Sequence, residues 1–227
     1  MPAEFTIAIG DIHGCRAMLD RLLERCFRYA GEHPPRLVFL GDYIDRGPDS
    51  RAVVETLIDL QRSLPGRVVC LRGNHEVLLL DALAKDDMSL WLFNGADATL
   101  ASYGVDHVAA LPPEHLAWLA ALKSSFDDGR RFFVHAGVDP DRPLSDQSEQ
   151  DLVWMREPFL SRERDYGRLI VHGHTPQRTG KPDLRSWRLN LDTAAVYGGR
   201  LTAAVFDGGQ AGPLAFLTDM SDARPVR

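Results

Sequence analysis

Five short apolar runs punctuate the chain, and all end alike: FTIAIGDIHG (5–14), LVFLGDYIDRG (37–47), VVCLRGNHE (68–76), FFVHAG (132–137) and LIVHGHTP (169–176). They are rich in β-branched and aromatic residues, so they read as buried strands. Each closes on Gly with His, Asp or Asn beside it, the composition of a turn at a strand's C-terminal end. Helical periodicity follows the first three. Met18, Leu19, Leu22, Leu23, Cys26 and Phe27 share one helical face. Val53, Val54, Leu57 and Ile58 share another, with Asp49 or Ser50 as N-cap after Pro48. A third apolar segment runs over 77–83. This β-α-β-α-β-α order implies parallel strands with helical crossovers. It places the polar clusters in loops at one edge of a sheet, where open α/β sheets gather functional groups.

Residues 86–128 change character. MSLWLFNGADATLASYG and PPEHLAWLAALK predict helices around a Gly-containing turn, a cap-like insert within one domain spanning 1–227. Asp128-Gly129 is a turn signal ahead of the fourth strand. Residues 139–168, rich in Pro, Asp, Arg and Ser, read as an irregular excursion with a short helix. From Arg188 to Leu217 the pattern alternates around Gly198-Gly199 and Gly208-Gly209, which predicts antiparallel strands joined by hairpins.

Composition narrows the function classes. Of 227 residues 44% are hydrophobic and 26% charged, as in an ordinary globular chain able to bury a sizeable core. The net charge of −6 argues against a nucleic-acid groove, which calls for a basic stripe. Lysine occurs only at Lys85, Lys123 and Lys181, and the other cations are arginines, whose forks suit phosphate oxygens. Cys15, Cys26 and Cys70 are odd in number and form no Cys-x-x-Cys pair, so they read as structural thiols in a reducing compartment. The opening MPAEFTIAIGD holds Glu4 and no long apolar region, and no run has the length to span a bilayer. A soluble, cytoplasmic protein is expected, with no membrane partner. The oligomeric state is left open.

The turns hold Asp11 and His13, Asp42 and Asp45, Asn74 and His75, His135, and His172 with His174. One Asp or His at a turn usually caps a helix or bonds a backbone amide. Five such turns on five successive strands point instead to a shared site. Carboxylate, imidazole and amide oxygen together suit divalent Mn, Fe or Zn rather than a thiolate zinc site. The donors exceed what one ion needs, and two ions sharing a carboxylate is the natural solution.

In order, GDIHG, GDYIDRG, GNHE, HAG and GHT resemble the signature of the phosphoprotein phosphatase group of the calcineurin-like metallophosphoesterases, in particular its small bacterial and phage type of serine/threonine protein phosphatase. The motifs span residues 10–175, and GDYIDRG followed by GNHE is the specific part. The resemblance implies an α/β fold, a β-sandwich of two mixed sheets flanked by helices, with a dimetal site at the C-terminal edge of the strands. It implies Asp11 and His13 as ligands of the first metal, Asp42 as the bridge, and Asn74, His135 and His174 as ligands of the second. The metals are then two divalent ions, Mn foremost with Fe or Zn as alternatives, activating a water for attack on phosphorus. His75 is the candidate proton donor to the leaving group, with Asp45 orienting it. Arg46 in DRG, Asn74, and Arg156 in LVWMRE would hold the phosphate, and Arg72 is a weaker candidate. A salt bridge to Glu157 is the competing role for Arg156. Glu76 reads as bonding locally or favouring the helix N-terminus. His172 reads as a supporting or structural histidine, and Asn190 and Asp192 as supporting or turn-capping residues.

The implied activity is hydrolysis of phosphoserine and phosphothreonine in proteins, the partner being a phosphorylated protein or a small phosphoester. Three alternatives stay open: a symmetrical dinucleoside tetraphosphate hydrolase, a cyclic-nucleotide phosphodiesterase and a non-catalytic metal-binding regulator. The SAPNY motif of the eukaryotic enzymes is absent, so their regulatory grooves are not expected here.

Overall fold

A computed structural model describes residues 5–225. β1 (Thr6–Ile9), α1 (Arg16–Ala30), β2 (Arg36–Phe39), α2 (Ser50–Ser63), β3 (Val68–Cys70) and α3 (Asn74–Lys85) follow one another as the periodicity requires. A helical stretch comes next: α4 (Ser89–Phe93), α5 (Ala96–Tyr103) and α6 (Pro113–Ala120). Then come β4 (Ser125–Asp127), β5 (Arg131–Val134), α7 (Glu149–Trp154), β6 (Leu169–His172), β7 (Asp183–Leu184), β8 (Arg188–Asn190), β9 (Thr202–Phe206), β10 (Ala215–Thr218) and β11 (Ser221–Pro225).

The strands form two mixed sheets. One is six-stranded, in the order β11-β10-β9-β1-β2-β3; the other is five-stranded, in the order β4-β5-β6-β8-β7. β1, β2 and β3 run parallel, as do β5, β6 and β8. Period-two alternation explains why both sheets are apolar on two faces. Ala8, Val38 and Leu40 of the first sheet meet Phe133, Val171 and Leu189 of the second in the sandwich core. Their neighbours Ile7, Ile9, Leu37 and Phe39 point the other way, under Leu19 and Leu22 of α1 and Val53 and Leu57 of α2. Phe132, Val134 and Ile170 cover the outer face of the second sheet with Leu152 and Val153 of α7 and with Phe159.

Three details differ from the sequence expectations. The C-terminal strands are not one run of hairpins. β9, β10 and β11 are antiparallel neighbours, but β8 lies in the other sheet, parallel to β6. Leu189 and Leu191 fill the sandwich from that side, so the chain crosses between the sheets over 192–199 instead of turning back. The helical stretch ends at α6, and Ser125–Asp127 pairs with β5 as a strand, making Asp128-Gly129 a hairpin turn. Finally, α3 begins at Asn74, not after Glu76, because the Glu76 carboxylate accepts the Gly73 N–H at 2.8 Å and caps the helix there.

No helix of the described residues is long and apolar enough to cross a membrane. All three thiols are free: Cys26 and Cys70 are buried and Cys15 is half-buried. Burial pushes the Cys26 thiol up to about 12.

Candidate active site

The loops at the carboxyl ends of β1, β2, β3, β5 and β6 converge, and the structure brings Asp11, His13, Asp42, Asn74, His75, His135 and His174 together there, all buried. Two triads that could each hold a metal ion share one carboxylate: His13, Asp42 and His75 on one side, Asp42, His135 and His174 on the other. His13 Nε2 stands 3.4 Å from Asp42 Oδ2, and His135 Nε2 stands 3.4 Å from Asp42 Oδ1.

Backbone carbonyls set the histidine tautomers. His13 Nδ1 donates to Ile44 O and His135 Nδ1 donates to Leu40 O, both at 2.9 Å. A carbonyl accepts only, so a neutral ring keeps its lone pair on Nε2. Burial keeps these rings neutral. It pulls His13 down to about 3 and His174 to about 2, and it lowers His135 as well. The Asn74 amide lies 2.9 Å from both His135 Nε2 and His174 Nδ1, with its oxygen turned inward. Lone pairs of imidazole, amide and carboxylate thus face one another with too few protons between them. Such a donor set fits divalent cations of the Mn, Fe or Zn type. The carboxylates agree: burial first, then Asp192 and Asp42, drive the Asp11 carboxyl well above its usual range. A bound cation would relieve that repulsion.

The backbone at the site is unusual. Among the described residues seven non-glycine residues have positive φ, and five are His13 (44°), Asp42 (54°), Asp45 (72°), Arg46 (69°) and His174 (64°). Each such residue costs on the order of 1 kcal/mol or more. Each is fastened by its own amide: His13 N–H to Asp42 O (2.8 Å), Arg46 N–H to Gly95 O (3.0 Å), Asp45 N–H to Thr99 Oγ1 (2.8 Å) and His174 N–H to the Asp11 carboxylate (3.0 Å). Asp42 N–H donates to Glu76 Oε2 at 2.9 Å.

Glu76 therefore does more than cap its helix. Oε2 accepts from Gly73 and Asp42, and Oε1 accepts from Tyr43 at 2.8 Å, so one carboxylate clasps the β2 loop to the β3 loop. Burial and the nearby Asp42 push it up to about 7. Gly73 is required by the same closeness, since a Cβ there would overlap Asp42 Oδ1.

His75 and Asp45 form a dyad, His75 Nδ1 donating to Asp45 Oδ2 at 2.6 Å. His75 Nε2 is buried without a hydrogen-bond partner and faces Asp42 Oδ2 at 4.0 Å. Burial pulls the His75 pKa down, but Asp42 and Asp45 outweigh it, and the value ends above that of an ordinary imidazole. Asp45 is held from the helical stretch: Trp91 Nε1 donates to Oδ2 at 2.8 Å and Thr99 Oγ1 to Oδ1 at 2.6 Å. Neither Trp91 nor Thr99 carried any sequence signal beyond its place in an apolar helical pattern.

Arg46 Nη1 donates to His13 Nε2 at 2.8 Å, and its guanidinium lies over the exposed Tyr197 ring at 5.7 Å. Arg156 is exposed beside His135 and His174 and lowers the pKa of both. It makes no salt bridge to Glu157; among the described residues Glu157 accepts from Ser161 instead. Arg72 turns away from the site, donating to Glu149 Oε1 and Ala120 O at 2.6 Å each. His172 is fully buried edge-on against Phe159, with its ring centroid 5.0 Å away, and joins neither triad. Asn190 donates to Thr175 O at 2.8 Å and accepts the Asp192 N–H at 2.9 Å, so it secures the loop that follows His174. Asp192 accepts the Ala194 N–H at 3.0 Å, and burial pushes its carboxyl up to about 6.

The sequence profile of the calcineurin-like phosphoesterases matches residues 6–202. The chain belongs to that family. It is a metallophosphoesterase, and the family uses a dimetal site. It is 32% identical over 209 residues to serine/threonine-protein phosphatase 1 of Salmonella typhimurium, covering 86% of this chain and 89% of that protein. It is 31% identical over 222 residues to an asymmetrical bis(5'-nucleosyl)-tetraphosphatase of Anoxybacillus flavithermus, covering 86% and 87%. A crystal structure of a putative diadenosine tetraphosphatase superposes with a TM-score of 0.73 at 26% identity, covering 95% of this chain and 92% of that one.

Proposed function

We propose that this metallophosphoesterase hydrolyses phosphoserine and phosphothreonine in proteins. The observation that carries the reading is the buried, unpartnered Nε2 of His75, backed by an Asp45 that is itself held by Trp91 and Thr99. Serine and threonine leave as alkoxides, which need a proton at the moment of departure; a nucleoside phosphate leaves as a stable anion. A built proton donor therefore favours an alkyl monoester. The 32% identity to a serine/threonine phosphatase supports the same reading.

In this reading Asp11, His13 and Asp42 hold one divalent ion, and Asp42, Asn74, His135 and His174 hold the other. When bound, the ions supply a water of lowered pKa and neutralise phosphate charge. The chain's own groups do the rest. Arg46 and Arg156 fork onto the peripheral phosphate oxygens and hold the phosphorus in line. Asn74 helps to place the substrate. His75 Nε2–H points to the leaving oxygen and gives up its proton, while Asp45 keeps the Nδ1 proton in place and stabilises the charged ring.

A second reading, hydrolysis of a dinucleoside tetraphosphate, is favoured by the 31% identical tetraphosphatase and by the superposed structure. One experiment separates the two. Phosphate release is followed from a phosphoserine peptide and nucleotide release from diadenosine tetraphosphate, using metal-stripped protein with and without Mn and His75→Ala alongside. Mn-dependent release from the peptide, reduced about 10²–10⁴-fold in the variant, is expected. Cleavage of the dinucleotide alone would select the second reading.

A further inference from the structure

Beside the metal-ligand loops runs a two-lobed cleft. The inner lobe, about 780 Å³, is walled by Arg156, Thr175, Gln177, Arg178, Thr193 and Tyr197. The outer lobe, about 760 Å³, is walled by Arg21, Lys181, Arg200, Phe216, Asp219 and Met220 among others. Thr179, Gly180, Gly198 and Gly199 line both, so the lobes are continuous. The inner lobe opens on the site itself: Thr175 follows His174, Thr193 follows Asp192, and Tyr197 carries the Arg46 guanidinium.

The charge of this cleft is opposite to that of the chain. The net charge is −6, yet Arg156, Arg178, Lys181 and Arg200 line the cleft, and their side chains have no ion pair or hydrogen bond among the described residues. Many arginines elsewhere are paired with carboxylates, as in Arg16–Asp20, Arg51–Glu55 and Arg162–Asp141. The sole carboxylate among the described lining residues, Asp219, is buried and bound to Arg21 at 2.9 Å. Cations left unpaired in one concave wall form a ready anion site, and their joint field concentrates anionic ligands.

We infer that this cleft receives acidic residues flanking the phosphoserine, so the enzyme selects phosphorylated serine or threonine set in an acidic peptide segment. This rests on the phosphatase reading above. Arg156 grips the phosphate at the inner end, and Arg178, Lys181 and Arg200 take carboxylates farther out. The apolar groups of Tyr197, Phe216 and Met220 give the peptide's stems a surface to lie on. The contacts form equally in ground and transition states, so they act on KM rather than on kcat.

The test compares four substrates in Mn: a phosphoserine peptide with Asp and Glu around the phosphoserine, the same peptide with Asn and Gln, diadenosine tetraphosphate, and p-nitrophenyl phosphate, which is too small to reach beyond Arg156 to Arg178, Lys181 and Arg200. The protein is the full chain, wild type and Arg178→Ala/Lys181→Ala/Arg200→Ala. Wild type should prefer the acidic peptide, and the preference should shrink as salt rises. The triple variant should lose about ten-fold in kcat/KM on the acidic peptide, through KM, since each exposed pair contributes modestly. Turnover of p-nitrophenyl phosphate and of the neutral peptide should hold. The reversal Arg178→Glu/Lys181→Glu/Arg200→Glu should shift preference to a lysine-flanked peptide. Equal rates on acidic and neutral peptides, or equal losses on both in the variants, would overturn the cleft's role while leaving the phosphatase reading intact. A loss confined to diadenosine tetraphosphate would overturn it too, assigning the cleft to a polyphosphate leaving group. Turnover of p-nitrophenyl phosphate with no release from any phosphopeptide would sink the phosphatase reading and this inference with it.

Discussion

Replacing Asp45 by Asn isolates the proposed proton donor, His75, from the rest of the site. Asp45 Oδ2 accepts from His75 Nδ1 (2.6 Å) and Trp91 Nε1 (2.8 Å), and Oδ1 accepts from Thr99 Oγ1 (2.6 Å). In the Asp45→Asn variant the amide oxygen takes the Oδ2 position and keeps the first two donors. The new NH2 meets Thr99, whose hydroxyl rotates to accept. Shape and most hydrogen bonds survive, so the fold should persist. The negative charge is lost. A hydrogen bond between charged partners contributes about 1.5–3 kcal/mol. If the protonated, donating ring loses that much stabilisation, the fraction of His75 carrying the Nε2 proton above its lowered pKa falls about 10- to 150-fold, and the rate with it, at 1.36 kcal/mol per tenfold.

The loss should depend on the leaving group. p-Nitrophenolate departs without help, whereas the serine alkoxide does not. Asp45→Asn should therefore leave p-nitrophenyl phosphate turnover within a few-fold of wild type and cut phosphoserine-peptide turnover about 10- to 150-fold. The pH profile supplies a second readout. The donor acts in its protonated form, so kcat on the peptide is flat below the His75 pKa and falls above it. Asp42 and Asp45 raise that pKa against the pull of burial. Removing the Asp45 charge takes away one of these two supports, and the alkaline limb should move to lower pH. Equal losses on both substrates, with an unmoved limb, would refute the donor role and leave Asp45 as a brace for its loop.

Two further outcomes follow from the site's geometry. Gly73→Ala drives a methyl into Asp42 Oδ1 and the Asp42 backbone nitrogen, so the metal-free Tm should fall and Mn affinity of the folded protein, measured by titration calorimetry, should fall about 10–100-fold; unchanged affinity would refute the crowding argument. Adding Mn to the metal-stripped protein should raise Tm by about 5–10 °C per filled site at one hundred times Kd, roughly 2.7 kcal/mol each and so about 10–20 °C for two, and a chelator should reverse it; a Tm indifferent to Mn would contradict the convergence of lone pairs at the site.

The motif residues were legible because each sits at the end of an apolar run, and strands buried on both faces advertise themselves by uninterrupted Val, Ile, Leu and Phe. The crossing of the chain between sheets was not. Alternation over 188–217 describes strands in general, and only the sandwich core, where Leu189 and Leu191 are needed, decides which sheet receives β8. Glu76 was legible as a residue that bonds locally or favours the helix N-terminus. Its grip on the Asp42 and Tyr43 amides joins positions more than thirty residues apart and has no local signature. The same holds for Trp91 and Thr99. They occupy ordinary core positions of short helices, and only the approach of α4 and α5 to the β2 loop turns them into donors to Asp45.

The site's construction explains why the strained loops stay in place. Asp11, His13, Asp42 and Asn74 follow strands of one sheet, while His135 and His174 follow strands of the other. Their separation is therefore set by the thickness of the sandwich core, where Ala8, Val38 and Ala204 of the first sheet meet Phe133, Val171 and Leu189 of the second. These interlocking side chains fix the distance between the sheets, because a packed core resists both compression and gaps. The left-handed residues then need no support from their own side chains. Those side chains are free to point inward, since His13 is tied to Asp42, Asp42 to Glu76 and His174 to Asp11 through the backbone. Strain spread over five residues is carried by a network that spans both sheets, so loosening the sandwich should release the donors before it unfolds the chain.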